Sequence, residues 1–479
     1  MRSLVLIAIA SSIAALALLE PKYATLSSAQ GDPVPFAQPD DALNPKVPVI
    51  ATFPLPAGFR SEGWAPLWFQ GGVLGVLARR SRRIFLLGYR GAGFQQVQML
   101  APGDDPDDRN GVLYDLAEDR KQTSIAMAIA HPDDGFLDVA IRNVSENQPE
   151  KRLDRLQGRF SAVGVSWIDS ATLALGIVLQ PGSSAPSPTP VQQASPTPSA
   201  SPTPMQSVVE AGLYTVTLHR DWRIRKIKLN CARQMDFTHT VWSPDGRHAV
   251  VDSGAPPAML IDRISLECVP LNVPYGQRFH LVGWSLDSTR FIYALTSPNG
   301  YLGNLTGFFE YEVDNGQVRV IASPAAAAAY VGGGLIAALG NRRLNARLIA
   351  SSPDLILSAE LALVDTRQSN ITIAPLGFDT PAAALLNGGM VYSQLSEELA
   401  VQLFFPNPAG GVPLIVAFFP QTKKVRPIVT AKPGTILSMS WSPIGDLLAV
   451  LDVSATPPLI TVLSPPLFGT QESGSQPAQ

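Results

Sequence analysis

The string SIAMAIAHPDDGFLDVAIRNV, residues 124–144, places one imidazole, His131, just ahead of two carboxylates, Asp133 and Asp134. Two readings compete for it. His131 is a metal ligand, or Pro132-Asp133-Asp134-Gly135 turns one strand into the next. A second acidic string, DDPDDRNG, invites a calcium reading. The EF-hand frame fails there, because Pro106 falls where the first acidic ligand belongs if Gly111 is the loop glycine. A looser cation site on Asp104, Asp105, Asp107 and Asp108 is the alternative to a soluble loop. Cys231 and Cys268 are the only cysteines, and with no nearby histidine pattern they argue poorly for structural zinc. They form either a disulfide, which would constrain the unfolded chain by roughly 4 kcal/mol, or two separate buried thiols. No G-x-S-x-G, H-E-x-x-H or phosphate-binding G-x-x-x-x-G-K string occurs.

Ala130 to Asp134 resembles the start of the metal site in zinc-dependent amidohydrolases that deacetylate sugars. The resemblance implies His131 as a ligand and a later histidine to complete the set. It stops at Asp134, because that family continues with glutamate and Gly135 stands here. His219, His239, His248 and His280 offer no H-x-x-H arrangement. The family motif opens an α/β domain, whereas SIAMAIA and FLDVAIRNV read as the two arms of a hairpin. The turn is therefore the favoured reading. No catalytic, cofactor-binding or metal-ligating residue is assigned from the sequence, and no cofactor is expected.

The elements that would position any such group are marked by aromatic residues. VWSPDGRHAVV at Trp242, GWSLDSTRFIYAL at Trp284 and SWSPIGDLLAVL at Trp441 share one frame, with looser copies at Trp167, Trp68 and Tyr392. Each is an apolar stretch, an aromatic, a short polar turn and a second apolar run. Pro244 presets φ, Asp245 bonds back to its own backbone and Gly246 accepts positive φ, so the flanking runs become a hairpin. Thr289 and Arg290 replace the proline-glycine chemistry in the Trp284 copy, which predicts a turn that differs in detail. Trp242 to Trp284 is 42 residues and Tyr392 to Trp441 is 49. Tyr114 is the expected anchor of a second unit, and the stretch 325–378 shows no aromatic anchor. A period of this length with several strands per unit predicts a β-propeller.

The W-S-P-D-G strings resemble those of the TolB-like and WD-repeat-like bacterial propeller superfamily. The resemblance implies the fold over about Arg60 to Leu467. Too few residues precede Trp68 for the α/β domain found ahead of the propeller in TolB itself. The expected architecture is all-β: a single propeller of four-stranded blades, eight by counting anchors and seven as the alternative. The last unit is one strand short, and Val47 to Pro56 is expected to supply that strand and close the ring.

Hydrophobic residues make up 46% of the 479 and charged residues 16%, which argues for extensive buried sheet. The net charge of −3 gives no pull toward nucleic acid. Arg2 followed by the apolar run Leu4 to Leu19 reads as a signal peptide over residues 1–29, with an uncleaved anchor as the alternative. Residues 30–45 and 469–479 read as disordered ends of a propeller at 46–468. Residues 181–206, with three S-P-T-P copies, read as a disordered loop inside the third blade rather than a linker between domains. The arginines at 79, 80, 82 and 83 suit a hairpin tip, and HRDWRIRKIKLN suits an outermost strand. Asn143, Asn304 and Asn370 begin N-x-S/T sequons.

The function expected from these features is a secreted, periplasmic or envelope-associated propeller that serves as a non-catalytic protein-interaction or ligand-binding scaffold. Its partner would be another envelope or extracellular protein or an extracellular polymer. It would be a monomer with no nucleic-acid contact, and would touch a membrane only through an uncleaved N-terminal segment. The alternative is an extracytoplasmic hydrolase or lyase with its active site at the channel mouth. The first reading predicts an apolar or aromatic patch on one face; the second predicts titratable side chains converging with shifted pKa values.

Overall fold

A single W-S-P-D-G turn shows how the chain is built. Trp242 ends the strand Thr240–Trp242, and His248–Val251 returns beside it. Gly246 takes φ 70° and its amide donates to the Ser243 carbonyl at 2.9 Å. The Ser243 hydroxyl donates to Asp245 at 2.6 Å and accepts from the His248 amide at 2.9 Å. Contrary to expectation, the Trp284 copy makes the same turn. Ser288 stands at φ 63° with its amide on the Ser285 carbonyl, and Ser285 donates to Asp287 at 2.6 Å. Serine tolerates the left-handed position here because Ser285, Asp287 and the backbone fix the loop around it.

Two further strands complete each such hairpin into a sheet. In this computed structural model, eight sheets result, and no helix occurs among the described residues. The structure describes residues 43–465, apart from 91–94, 102–110, 147–150, 182–206, 219–223, 232–234, 253–256, 297–305, 340–359, 368–370, 377–388, 406–411 and the single positions 62, 82, 154, 209, 326, 333 and 366. The first strands are Leu67–Phe69, Val112–Glu118, Phe160–Asp169, Thr240–Trp242, Arg278–Trp284, Ala327–Tyr330, Met390–Ser393 and Leu437–Trp441. Successive first strands pack together: Val112–Glu118 against Phe160–Asp169, and Leu437–Trp441 against Leu67–Phe69, which joins the eighth sheet to the first. The architecture is an eight-bladed β-propeller.

The core is divided rather than central. Eight apolar clusters each lie between two neighbouring blades. Phe279, Phe291 and Tyr293 join Val250 and Leu260 between blades four and five, while Leu55, Trp68 and Tyr89 join Leu451 and Ile460 between eight and one. Sheet faces are buried on both sides, so the second strands are nearly continuous apolar runs, as in SIAMAIA. Blade three shows the closest approach. Gly164 and Gly176 face one another across two strands, and a Cβ on either would collide with the backbone of Phe237 and Thr238.

Val49–Pro54 pairs with Leu459–Leu463 and supplies the missing fourth strand of blade eight, from Val49↔Leu463 to Pro54↔Leu459. Residues 43–45, expected to lie in the N-terminal segment outside the ring, instead add a fifth strand to blade seven, with Leu43 opposite Ala431. The outer strand Lys424–Ala431 otherwise ends its sheet with open backbone groups, and this short strand pairs them. Thr172–Leu179 pairs directly with Gly212–Thr217, so the chain leaves blade three before 182–206 and returns to the same sheet after it. Cys231 and Cys268 are disulfide-bonded, with Cα atoms 5.1 Å apart. The signal-peptide reading, DDPDDRN over 104–110, Arg82, Asn304, Asn370, the 182–206 insertion and the C-terminal tail lie outside the described residues.

Gly176→Ala should lower the unfolding free energy by at least about 2 kcal/mol, because the new methyl must displace a neighbouring blade's backbone; urea denaturation checks it. Removing residues through Pro54 should leave Leu459–Leu463 as an open edge, and a lower melting temperature with concentration-dependent association is expected in scanning calorimetry and light scattering.

Candidate functional site: the channel mouth

His131 is settled by its hairpin. It ends the strand Ser124–His131, and the amides of Asp134 and Gly135 both donate to its carbonyl, with Gly135 at φ 68°. The ring is 1% exposed, stacks on Phe136 and faces the buried Asp138 with Nε2 at 3.2 Å. Arg152 also reaches Asp138 at 3.2 Å. Asp133 and Asp134 are exposed on the turn, away from this pairing. His248 lies 3.6 Å from Asp262 in blade four, and His239 and His280 line the channel; His219 is outside the described residues. Among the described residues no group of three or more His, Cys, Asp or Glu side chains is placed to hold a metal ion. Arg80 and Arg83 face each other across a hairpin tip and lie over Phe59 and Phe85.

The turns between first and second strands surround one mouth of the channel, and the residue ending each first strand follows a rule. In five blades it stands four residues before a positive-φ residue: Trp68 and Gly72, Trp242 and Gly246, Trp284 and Ser288, Tyr330 and Gly334, Trp441 and Gly445; among the described residues no such residue follows Trp167 in the turn of blade three. The spacing is five for Tyr392 and Glu397. Blade six thus has an aromatic at this place, Tyr330, which the sequence did not reveal. The indoles reach to the preceding blade. Nε1 donates from Trp68 to the Ser440 carbonyl at 3.1 Å, from Trp167 to Ala117 at 3.0 Å, from Trp284 to Val241 at 3.3 Å and from Trp441 to Val391 at 3.0 Å.

Blade two keeps the spacing but not the aromatic. Its positive-φ residue is Gln122, at 56°, whose amide donates to the Asp119 carbonyl as Gly246 does to Ser243. Four residues before it stands Glu118. Tyr114, the expected anchor, is one turn of register too early, and its hydroxyl instead donates to the Phe160 carbonyl at 3.3 Å. Asp119 takes the place of the motif serine and accepts from the amides of Thr123 and Ser124 and from the Thr123 hydroxyl.

Glu118 lines two cavities of about 660 and 670 Å³ that open along the channel. The first is walled by blades two to five and also holds Asp115, Arg120, His239, Asp252 and His280. The second is walled by blades one, two, seven and eight. Burial, with Asp119 adding to it, pushes the Glu118 carboxyl up to about 8, against a hydrogen bond from Gln122. Burial also pushes Asp115 up to about 6, opposed by the Val165 and Leu116 amides and by His239. Arg120 turns away from Glu118: its guanidinium donates to the Ser243 carbonyl, where Asp169 and Asp245 favour its charge while burial lowers its pKa. The same mouth carries three exposed aliphatic side chains, Leu286, Leu395 and Ile444, at 67%, 69% and 65% exposure, on the turns of blades five, seven and eight.

The chain matches no protein-family model and no curated protein. Among solved structures it is similar to a prolyl endopeptidase chain, at 12% identity and a TM-score of 0.41, over 85% of this chain and 47% of that one; it spans about half the length of that protein. It is also similar to a chain of the mitotic checkpoint complex, at 11% identity and a TM-score of 0.43, over 92% of this chain and 99% of that one.

Glu118 binds a proton in the folded state that it loses in the unfolded state over pH 4.5 to 8. The stability tied to it is full below pH 4.5 and is lost as pH rises through 8. Glu118→Gln should therefore melt like the wild type at pH 4 and at a higher temperature at pH 8.5, as read by thermal denaturation across that range.

Proposed function

We propose that this chain is an exported, monomeric β-propeller that acts as a non-catalytic scaffold, docking another envelope or extracellular protein on the face formed by the turns between first and second strands. The observation that carries this reading is the rim of Leu286, Leu395 and Ile444. Aliphatic side chains about two-thirds exposed at three turns around one opening are costly to hydrate and suited to burial against a partner. A propeller supports such a role physically, because blades locked to both neighbours hold loops at fixed separations. Export rests on the N-terminal apolar run and on a disulfide compatible with an oxidising compartment.

A hydrolase or lyase at the same mouth is the second reading. It is favoured by Asp115 and Glu118, whose carboxyls are both raised by burial and line one cavity. Raised carboxyls suit a general acid, which is the chemistry that reading needs.

The two readings separate on the rim. Leu286→Asp, Leu395→Asp and Ile444→Asp combined should leave the melting temperature within a few degrees of wild type, because all three side chains are exposed. The same variant should lose at least tenfold in capture of the partners that wild type cross-links in envelope extract, measured by quantitative mass spectrometry. Unchanged capture by the triple variant overturns the docking face.

A further inference from the structure

Seven of the eight turn positions that end a first strand carry tryptophan or tyrosine, and one carries Glu118. An indole there fills the gap to the preceding blade and donates to its backbone. A glutamate fills less volume and, when ionised, has no proton to donate. Glu118 Oε1 is buried and has no hydrogen-bond partner among the described residues. The groups that face it leave it without a counter-ion. On its own turn, Asp119 repels it, Gln122 bonds to it, and Arg120 is drawn off to Ser243, Asp169 and Asp245; Lys121 is exposed at the edge of the second cavity. Across the first cavity stand Asp115, Asp252 and the exposed His239 and His280, and across the second stands Tyr392.

We infer that Glu118 is the socket for one basic side chain, a lysine or arginine, that the docked protein inserts into the channel mouth while its apolar surface covers Leu286, Leu395 and Ile444. This rests on the docking face proposed above. The geometry meets both needs of such a partner. Glu118 lines both cavities, so a long side chain can reach the edge of its carboxyl through open space, and rotation of the carboxyl turns the covered Oε1 toward it. The aliphatic rim surrounds the same opening, so the cation would be buried at the centre of an apolar contact, where a charge pair excludes water. A buried carboxyl with no counter-ion stays protonated, and an arriving cation favours the ionised form. Binding therefore expels the proton from Glu118 to solvent and leaves a carboxylate paired with the partner's ammonium or guanidinium.

The test uses the full-length protein and N-acetyl-argininamide as the probe, with N-acetyl-glycinamide as the neutral control. Calorimetric titration should show saturable binding of the arginine compound alone, about tenfold tighter at pH 7 than at pH 6. Titrations in buffers of different ionisation enthalpy should show release of close to one proton per probe bound. Glu118→Gln, which keeps the side-chain shape, should abolish both the pH dependence and most of the affinity. Probe binding that is absent, independent of pH, or unchanged in Glu118→Gln overturns the inference. If the probe behaves as stated but the rim variant still captures its partners, the docking face is wrong and the socket stands.

Discussion

One contact recurs around the ring and sets its geometry: an indole N–H at the end of a first strand donating to the backbone carbonyl of the strand before it. Trp68, Trp167, Trp284 and Trp441 each make it. Because the acceptor is the residue just ahead of the neighbouring blade's own turn position, each bond fixes both the distance and the vertical offset between two blades. The indole face is meanwhile buried in the apolar cluster between the same two sheets, so hydrogen bonding and burial act on one residue. Trp242 gains only the second of these, since its Nε1 is buried without a partner among the described residues. Its blade has another constraint: Gly246 lies against the Ile168 carbonyl, where a Cβ would sit 2.7 Å away.

Much of the fold was legible because its marks are local. The proline, aspartate and glycine of WSPDG act within five residues, and the tryptophan ahead of them repeats at blade spacing. Even the closing strand could be read, since the last unit was short of a strand and VPVIATFPLP had no partner of its own. Where the reading failed, a different residue did the same physical work. Ser288 took the left-handed position of a glycine, and Tyr330 took the place of a tryptophan after a run of alanines, ahead of a turn with no proline. The extra strand at Leu43–Pro45 depends on pairing with a residue nearly four hundred positions away, which no local pattern records.

The channel mouth was not legible, and one aromatic shows why. Tyr114 lies 46 residues after Trp68 and drew the register of blade two toward itself. The proper frame follows from the turn, Asp119 to Ser124, where a glutamine carries positive φ and an aspartate replaces serine as the amide acceptor. With no glycine, proline or tryptophan, that turn has none of the residues that mark the others. The signal available was the length of the loop before SIAMAIA, which fixes Glu118 by counting back. Asp115, His239 and His280 are far apart in the chain and meet only because three first strands line one channel. The AHPDD string illustrates the converse: a chemically suggestive pattern is consumed by a turn, while its imidazole is held by Asp138, a carboxylate on the returning strand.

The strand at Val49–Pro54 has a consequence for how the molecule comes into being. Its partner, Leu459–Leu463, is among the last described segments to be synthesised. Seven interfaces can assemble between blades that are adjacent in the chain, each requiring only a loop of ordinary length to close. The eighth must wait for the two ends to meet, and the entropy of that encounter grows with the logarithm of the chain between them. During that interval the nascent protein is an open crescent with two uncovered faces. Closure of the circle thus waits for Leu459–Leu463, so a product interrupted before that strand would be distinguishable from a closed ring by the sticky surface it still displays.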